Sequence, residues 1–294
     1  MIKDWVEIII TVTQDTEEAI ANLLCELGSN GVVMDAGKEM DSGTVAGYVP
    51  AGDRIQDKLR SIRTLWQGLC ELGLATGACQ IAVRSVPMSD WTSWQARFKP
   101  VDVSDRIVIT PPWAPVRKRE NQVVIEIVPG LAFGTGEHET TQLCLHALEE
   151  CVVPGDRVLD LGTGSGILSI AAAKLGADHV VAVEIDDVAL EAALENVQRN
   201  TAADDISLYL GSVDHPSVTG LFRVIVSNTE TRTIRTLLSD FRRMMEPDGV
   251  LVLSGVLQEE SQALSQDIEA QGFTLMKDTV LGEWWSCVVR PDVS

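Results

Sequence analysis

The chain is poor in the residues that build cross-links and metal centres. Its six cysteines (Cys25, Cys70, Cys79, Cys144, Cys151 and Cys287) lie far apart, with no Cys-x-x-Cys pair. That spacing excludes a zinc ribbon or a dithiol redox motif and predicts buried free thiols in a reducing compartment. The four histidines have no metal-ligand spacing, so no metal is expected. No apolar run approaches the roughly 20 residues of a membrane span, and the opening residues lack a charged-then-apolar leader. These absences predict a soluble cytoplasmic protein with no membrane partner. Repeats and low-complexity tracts are also missing. Basic side chains are scarce: 23 Lys and Arg stand against 43 Asp and Glu, for a net charge of −20. The deficit is uneven, at −5 over residues 1–88, +1 over 89–128 and −16 over 129–294. Such acidity repels a phosphate backbone and attracts basic partners, so direct reading of nucleic acid is not expected.

What is present is enough apolar residue, 45% of 294, for two separate cores. Residues 5–13 are rich in β-branched side chains and predict a strand. Thr16 can cap a helix that runs to about Leu27 and stops at Gly28. Residues 31–35 and 43–49 predict a hairpin pair. Residues 53–72 predict a helix with Ile55, Leu59, Ile62, Leu65, Trp66 and Leu69 on one face, and 80–86 a further strand. The order β-α-β-β-α-β indicates a small α+β ferredoxin-like domain over residues 1–88. Trp91, Trp94 and Phe98 recur at helical spacing within a linker helix over 89–101. Two extended segments follow, at 106–110 and 122–127.

A second domain, 102–294, is expected to hold an α/β sheet. Beyond Val153, strands near 156–161, 179–184, 206–210, 222–227 and 249–254 alternate with helices near 166–175, 187–200, 231–245 and 257–271. Alternation of this kind gives a parallel sheet covered on both faces. The segments 272–279 and 283–289 are separated by a short turn and predict an antiparallel hairpin. The fold class is therefore a Rossmann-like sheet, mostly parallel with an antiparallel last strand, preceded by the ferredoxin-like domain.

The most specific string is Val158-Leu-Asp-Leu-Gly-Thr-Gly-Ser-Gly166. A buried strand carrying Asp160 runs into Gly162, Gly164 and Gly166, and a helix opens directly after. Glycines permit a tight turn and close approach of a ligand to the main chain. A dinucleotide site has the spacing G-x-G-x-x-G, with pyrophosphate at the helix N-terminus; here the third glycine comes one residue early. Asp160, two residues before the first glycine, suits a ligand with a cationic amino group and no phosphate. S-adenosylmethionine (SAM) is such a ligand. A second strand ends in Glu184, 22 residues after Gly162, where an acid can meet a ribose diol. Upstream, the glycine-rich stretch 128–138 runs into a helix near Glu139. Phe133, the Gly134-Thr135-Gly136 turn and His138 there have the makings of a lid. Thr140 and Thr141 fall in the first turn of that helix, where hydroxyls can meet free N–H groups or a ligand.

The string Pro-Gly-Leu-Ala-Phe-Gly-Thr-Gly-x-His-x-Thr-Thr, followed by Val-Leu-Asp-Leu-Gly-Thr-Gly-Ser-Gly, resembles the ribosomal protein L-eleven methyltransferase family. The likeness extends over the whole chain, through Trp5-Val6-Glu7, Leu253-Ser254-Gly255 and Glu283-Trp284. It implies an N-terminal substrate-recognition domain and a C-terminal domain that binds SAM. It implies trimethylation of lysine ε-amines and the N-terminal α-amine of one basic large-subunit ribosomal protein, L-eleven. It also implies SAM contacts at Thr141, Gly162, Glu184 and Asn228, with Asp160, Gly164 and Phe133, Gly134 and Thr135 of the loop in the same pocket. The sequence differs from the family pattern in having Glu184 for Asp, Thr229-Glu230 after Asn228, and Ser212 after Gly211. Asn228 is placed to aim the lone pair of an acceptor amine, and His138 is a candidate proton acceptor. Two other readings remain at this stage: a protein-lysine methyltransferase with a different target, and a non-catalytic SAM-binding module that docks on ribosomes. Thr229-Glu230 in place of two prolines and an aromatic residue argues against methylation of a nucleobase.

Overall fold

The computed structural model describes residues 5–29, 32–35, 43–50, 55–86, 98–129 and 132–292. The chain divides into two compact units, Met1–Phe98 with Pro129–Leu131, and Lys99–Val128 with Ala132–Ser294. Most of the linker helix expected over 89–101, including Trp91 and Trp94, lies outside the described residues.

In the first unit, β1 (Trp5–Val12), α1 (Gln14–Glu26), β2 (Val32–Asp35), β3 (Gly43–Pro50), α2 (Ile55–Glu71) and β4 (Ile81–Val86) follow one another. The strands form one antiparallel sheet in the order β2-β3-β1-β4, the ferredoxin-like arrangement. Alternation along β1 turns Ile8, Ile10 and Val12 inward, where they join Ile20 and Leu24 of α1 and Leu59, Ile62, Trp66 and Leu69 of α2. Helix α1 starts three residues earlier than a cap at Thr16 implies. Thr13 is the residue before the helix, and its backbone N–H donates to Thr16 Oγ1 at 2.9 Å. Thr16 thus closes the first turn from inside, as the third member of a capping box does.

The second unit begins with a sheet that the sequence showed only in part. Strands β5 (Val101–Asp102), β6 (Ile107–Thr110) and β7 (Val123–Glu126) lie side by side, with β6 and β7 parallel. The main sheet holds β8 (Arg157–Leu161), β9 (His179–Glu184), β10 (Ile206–Leu210), β11 (Phe222–Asn228), β12 (Met245–Leu257), β13 (Phe273–Leu281) and β14 (Trp284–Pro291). Their order is β10-β9-β8-β11-β12-β14-β13. The first five pair in parallel; β14 runs antiparallel to both β12 and β13. The last strand therefore inserts between its hairpin partner and the parallel strands.

Helices α3 (Glu139–Cys151), α4 (Ile167–Leu175), α5 (Asp187–Arg199), α6 (Thr231–Met244) and α7 (Ser261–Ala270) complete the unit. Apolar side chains from the two faces of the sheet enter separate cores. One centres on Val158, Val180, Val224 and Val252, with Leu145, Leu148 and Ile170. The other holds Leu159, Val181, Ile225 and Leu251, with Phe222, Phe241 and Phe273. Burial on both faces explains the unbroken apolar runs of β8, β9 and β11. Of the described thiols, Cys144 and Cys287 are buried, whereas Cys70, Cys79 and Cys151 are half-buried; all five are free. Among the described residues no helix is long and apolar enough to cross a membrane.

Candidate active site

The strand order reverses at β8, since β9 lies on one side of it and β11 on the other. Parallel sheets bind ligands at the carboxyl ends of the strands beside such a point. The glycine turn sits there. Gly162, Gly164 and Gly166 all have positive φ, at 73°, 55° and 82°. A side chain on Gly164 would place Cβ 2.7 Å from the carbonyl oxygen of Phe133. The turn and the upstream loop are thus in backbone contact.

Every backbone N–H from Gly162 to Gly166 already has a protein acceptor. Gly162 and Thr163 donate to the Val183 carbonyl at 2.9 and 3.1 Å, Ser165 to Phe133 at 2.9 Å, and Gly166 to Thr163 at 2.9 Å. Gly164 donates to Glu184 Oε2 at 2.9 Å. A pyrophosphate site needs such groups free. Two carboxylates also face this turn, and a phosphate would meet their repulsion. These five N–H groups are therefore not free for the pyrophosphate that a dinucleotide would bring.

Asp160 is fully buried within β8. Its Oδ2 accepts the hydroxyls of Thr163 and Ser169, each at 2.6 Å, while Oδ1 has no partner among the described residues. Burial pushes its pKa from 3.8 up to about 6; the two hydroxyls work against that rise and nearby Glu184 adds to it. Glu184 closes β9 and turns back on its own backbone. Its Oε1 accepts from Ile185 N and Asp186 N at 2.8 and 3.1 Å. With three N–H groups bound, the carboxylate keeps acceptor capacity for one further donor. Ile185, the next residue, is 79% exposed although apolar and β-branched. It offers a flat ligand an uncovered surface beside the acid.

A second group of side chains stands at the ends of β11 and β12. His138 caps α3, its Nδ1 accepting the Thr140 N–H at 3.3 Å. Thr140 Oγ1 lies 2.8 Å from the same Nδ1 and accepts from Asn228 Nδ2 at 3.2 Å. Ser254, paired in register with Asn228, donates its hydroxyl to the Thr140 carbonyl at 3.2 Å. The first turn of α3 is therefore pinned to the sheet edge by two neighbouring strands. The His138 ring makes edge contacts with Phe133 and Trp284, each at 5.1 Å between centroids. Burial lowers the His138 pKa, against the opposing pull of Glu139 and Glu283. The two groups adjoin, since a Cβ on Gly162 would lie 2.8 Å from Thr229 Cγ2.

Of the residues singled out in the sequence, the turn brings together Phe133, Gly134, Asp160, Gly162, Gly164 and Glu184; Gly134 joins through its carbonyl, which accepts the Ser165 hydroxyl at 2.7 Å. His138 and Asn228 meet through Thr140. Thr141 is fully buried, and its Oγ1 has no partner among the described residues. Thr135 is half-buried and stands apart, with no side-chain hydrogen bond among the described residues. Phe133 is 57% exposed, as an uncovered wall of the site.

Three contributors are not evident from sequence motifs: Ser169, Ile185 and Asn196; Ser254 stands in the Leu253-Ser254-Gly255 motif, which by itself gives it no role. Buried Asn196 takes the Val128 N–H on Oδ1 at 3.0 Å and gives Nδ2 to the Ser165 carbonyl at 2.9 Å. It ties the entrance of the loop to the glycine turn. Its neighbour one helical turn on, Asn200, exchanges two hydrogen bonds with the backbone of Glu126. Two asparagines at i, i+4 beside buried Ala193 and Val197 were the available signal.

The chain is 34% identical over 306 residues to a ribosomal protein L11 methyltransferase of Streptococcus uberis, covering 98% of this chain and 96% of that protein. It is 33% identical over 309 residues to one of Bacillus cytotoxicus, covering 97% and 99%. The crystal structure of a ribosomal protein L11 methylase from Lactobacillus delbrueckii subsp. bulgaricus superposes with a TM-score of 0.62 at 32% identity. That match covers 66% of this chain and all of that one. Sheet order, glycine turn and these likenesses define a methyltransferase built on a Rossmann-like sheet. The chain belongs to the family described as ribosomal protein L11 methyltransferase (PrmA), whose model matches residues 4–292.

Proposed function

We propose that this protein transfers methyl groups from SAM to amino groups of ribosomal protein L11, at lysine ε-amines and the N-terminal α-amine. The observation that carries the cofactor reading is the internal satisfaction of every N–H from Gly162 to Gly166 beside two carboxylates. Family membership supports the reaction and the acceptor protein.

The residues present fit SAM. Glu184 retains an acceptor for a ribose hydroxyl, Ile185 offers an apolar surface to a base, and buried Asp160 supplies negative charge near a cationic amino group. Thr141 keeps a spare hydroxyl beside the loop. Phe133, Gly134 and Thr135 would complete the pocket wall. SAM supplies an electrophilic methyl group on a sulfonium, whose departure needs no acid.

The protein's main work is then to hold the acceptor amine in line. A lysine amine is almost fully protonated near neutral pH, since its ordinary pKa is about 10.4. Exclusion of water by the rings of Phe133 and Trp284 disfavours the ammonium. The Asn228 carboxamide oxygen can accept one amine N–H and so direct the lone pair.

In this reading residues 1–88 recognise the substrate, 89–101 link, and 102–294 carry the chemistry in the cytoplasm. The net charge of −16 over 129–294 suits a basic ribosomal protein. Thr229-Glu230, next to Asn228, favours one competing reading, a lysine methyltransferase with another target. Incubation with methyl-labelled SAM and undermethylated ribosomal proteins, followed by mass spectrometry, separates the two. Label on L11 amines is expected; label on another protein shifts the target, and SAM binding without any label ends the enzyme reading.

A further inference from the structure

The hydrogen bonds around Thr140 fix more than the helix cap. His138 Nδ1 accepts the Thr140 backbone N–H at 3.3 Å, an arrangement that belongs to the Nε2–H tautomer. In that tautomer the Thr140 hydroxyl, 2.8 Å from the same nitrogen, is a second donor to its one lone pair. A hydroxyl has one hydrogen. With that hydrogen spent on His138, Thr140 Oγ1 can only accept, and Asn228 must present its NH2 group to it, at 3.2 Å. The amide orientation of Asn228 thus follows from a capping nitrogen two hydrogen bonds away.

We infer that Thr140 is a positioning residue for amine methylation: held by His138, it turns Asn228 so that Oδ1 is left for the acceptor amine. The inference rests on the reading of Asn228 given above. Asn228 is half-buried, and Oδ1 has no partner among the described residues. Were the amide reversed, Nδ2 would point donors at an amine that must itself be deprotonated and unencumbered.

The same network assigns His138 a part different from proton acceptor. Its neutral ring carries hydrogen on Nε2, and Nδ1 is occupied twice, so neither nitrogen can take the amine proton. Burial lowers the pKa of the ring from the ordinary imidazole value, while Glu139 and Glu283, the carboxylates that face it, act in the opposite sense. Edge contacts from Phe133 and Trp284 hold its plane. His138 sets the direction of the chain His138–Thr140–Asn228, and Asn228 alone touches the substrate.

The test has a structural arm and a kinetic arm, both on the full chain. Nitrogen-15 spectra of the histidines, with His138 assigned by substitution, should show the neutral Nε2–H tautomer near neutral pH, and Thr140→Val should move the Nδ1 resonance. Thr140→Val should also lower kcat for L11 by tenfold up to about a hundredfold, with SAM affinity held within about threefold. Thr140→Ser, which keeps the hydroxyl, should recover most of that loss. In an Asn228→Ala background, Thr140→Val should cost less than about twofold more, because it acts through Asn228.

A protonated Nδ1 in the unaltered protein overturns the inference. So do fully additive losses in the double variant, or a loss that lies in SAM affinity. If the protein binds SAM and methylates no ribosomal protein, the functional reading fails, and the tautomer still decides the network.

Discussion

Glu184 Oε2 and the backbone N–H of Gly164 lie 2.9 Å apart, so the acid ending β9 is built into the glycine turn after β8. The carboxylate serves as scaffold for three backbone donors before it serves any ligand. Glu184→Gln keeps the shape but sets an NH2 against some of those donors. Losing a part-buried hydrogen bond of this kind costs about 0.5–1.5 kcal/mol, and denaturant unfolding should show a loss of that size. Calorimetry should show SAM affinity lowered by about tenfold or more, for a deficit near 1.4 kcal/mol. Unchanged stability would mean that the carboxylate is not structural.

Gly164 and Gly155 separate two causes of glycine dependence. Both have positive φ, but a Cβ at Gly164 meets the Phe133 carbonyl at 2.7 Å, whereas at Gly155 nothing lies within 4 Å. Gly155→Ala should cost about 1–2 kcal/mol, the left-handed strain alone. Gly164→Ala adds overpacking against backbone, for about 1–3 kcal/mol more. Thermal melts of the two variants should differ in that direction; equal losses would contradict the contact.

Asp160 makes a prediction about pH. Its folded pKa, about 6, exceeds the ordinary 3.8. Between those values the folded state holds more protons than the unfolded one, so stability falls as pH rises. The contribution is complete below about pH 4 and gone above about pH 6, with a span on the order of 3 kcal/mol. Asp160→Asn should remove this slope, and near neutral pH the variant should be at least as stable as the parent while binding SAM more weakly. Comparison of urea midpoints for the two proteins across that window reads the effect. Parallel pH curves would refute the raised pKa.

Ile185 isolates binding from folding. At 79% exposure it contributes little to the core, so Ile185→Ser should change stability by no more than about 0.5 kcal/mol. SAM affinity should nevertheless fall by about tenfold as an apolar contact is lost. Equal binding by the variant would remove Ile185 from the site.

The sequence carried the strand–turn–helix at 157–175 well, because its signals are local: an apolar run, three glycines and a helix start within twenty residues. The final hairpin was equally plain from its short turn. Less was legible where partners are remote. Asn196 meets Val128 across 68 positions, Asn228 meets Thr140 across 88, and Ser254 meets Thr140 across 114. No periodicity encodes such pairs. Of the β5-β6-β7 sheet, β6 and β7 fall within the extended segments expected at 106–110 and 122–127, whereas β5, two residues long, is too short for an alternation to register. At α1, Thr16 lies inside the first turn instead of capping it, and its hydroxyl accepts the Thr13 N–H that precedes the helix.

A glycine turn that serves a cationic, phosphate-free ligand discriminates between SAM and NAD. Calorimetric titration of the full chain with each of the two reads that choice. One SAM site per chain, weakened by Gly164→Ala, is expected, with no heat of binding from NAD. Binding of NAD that Gly164→Ala abolishes, or a chain indifferent to SAM, would contradict this expectation.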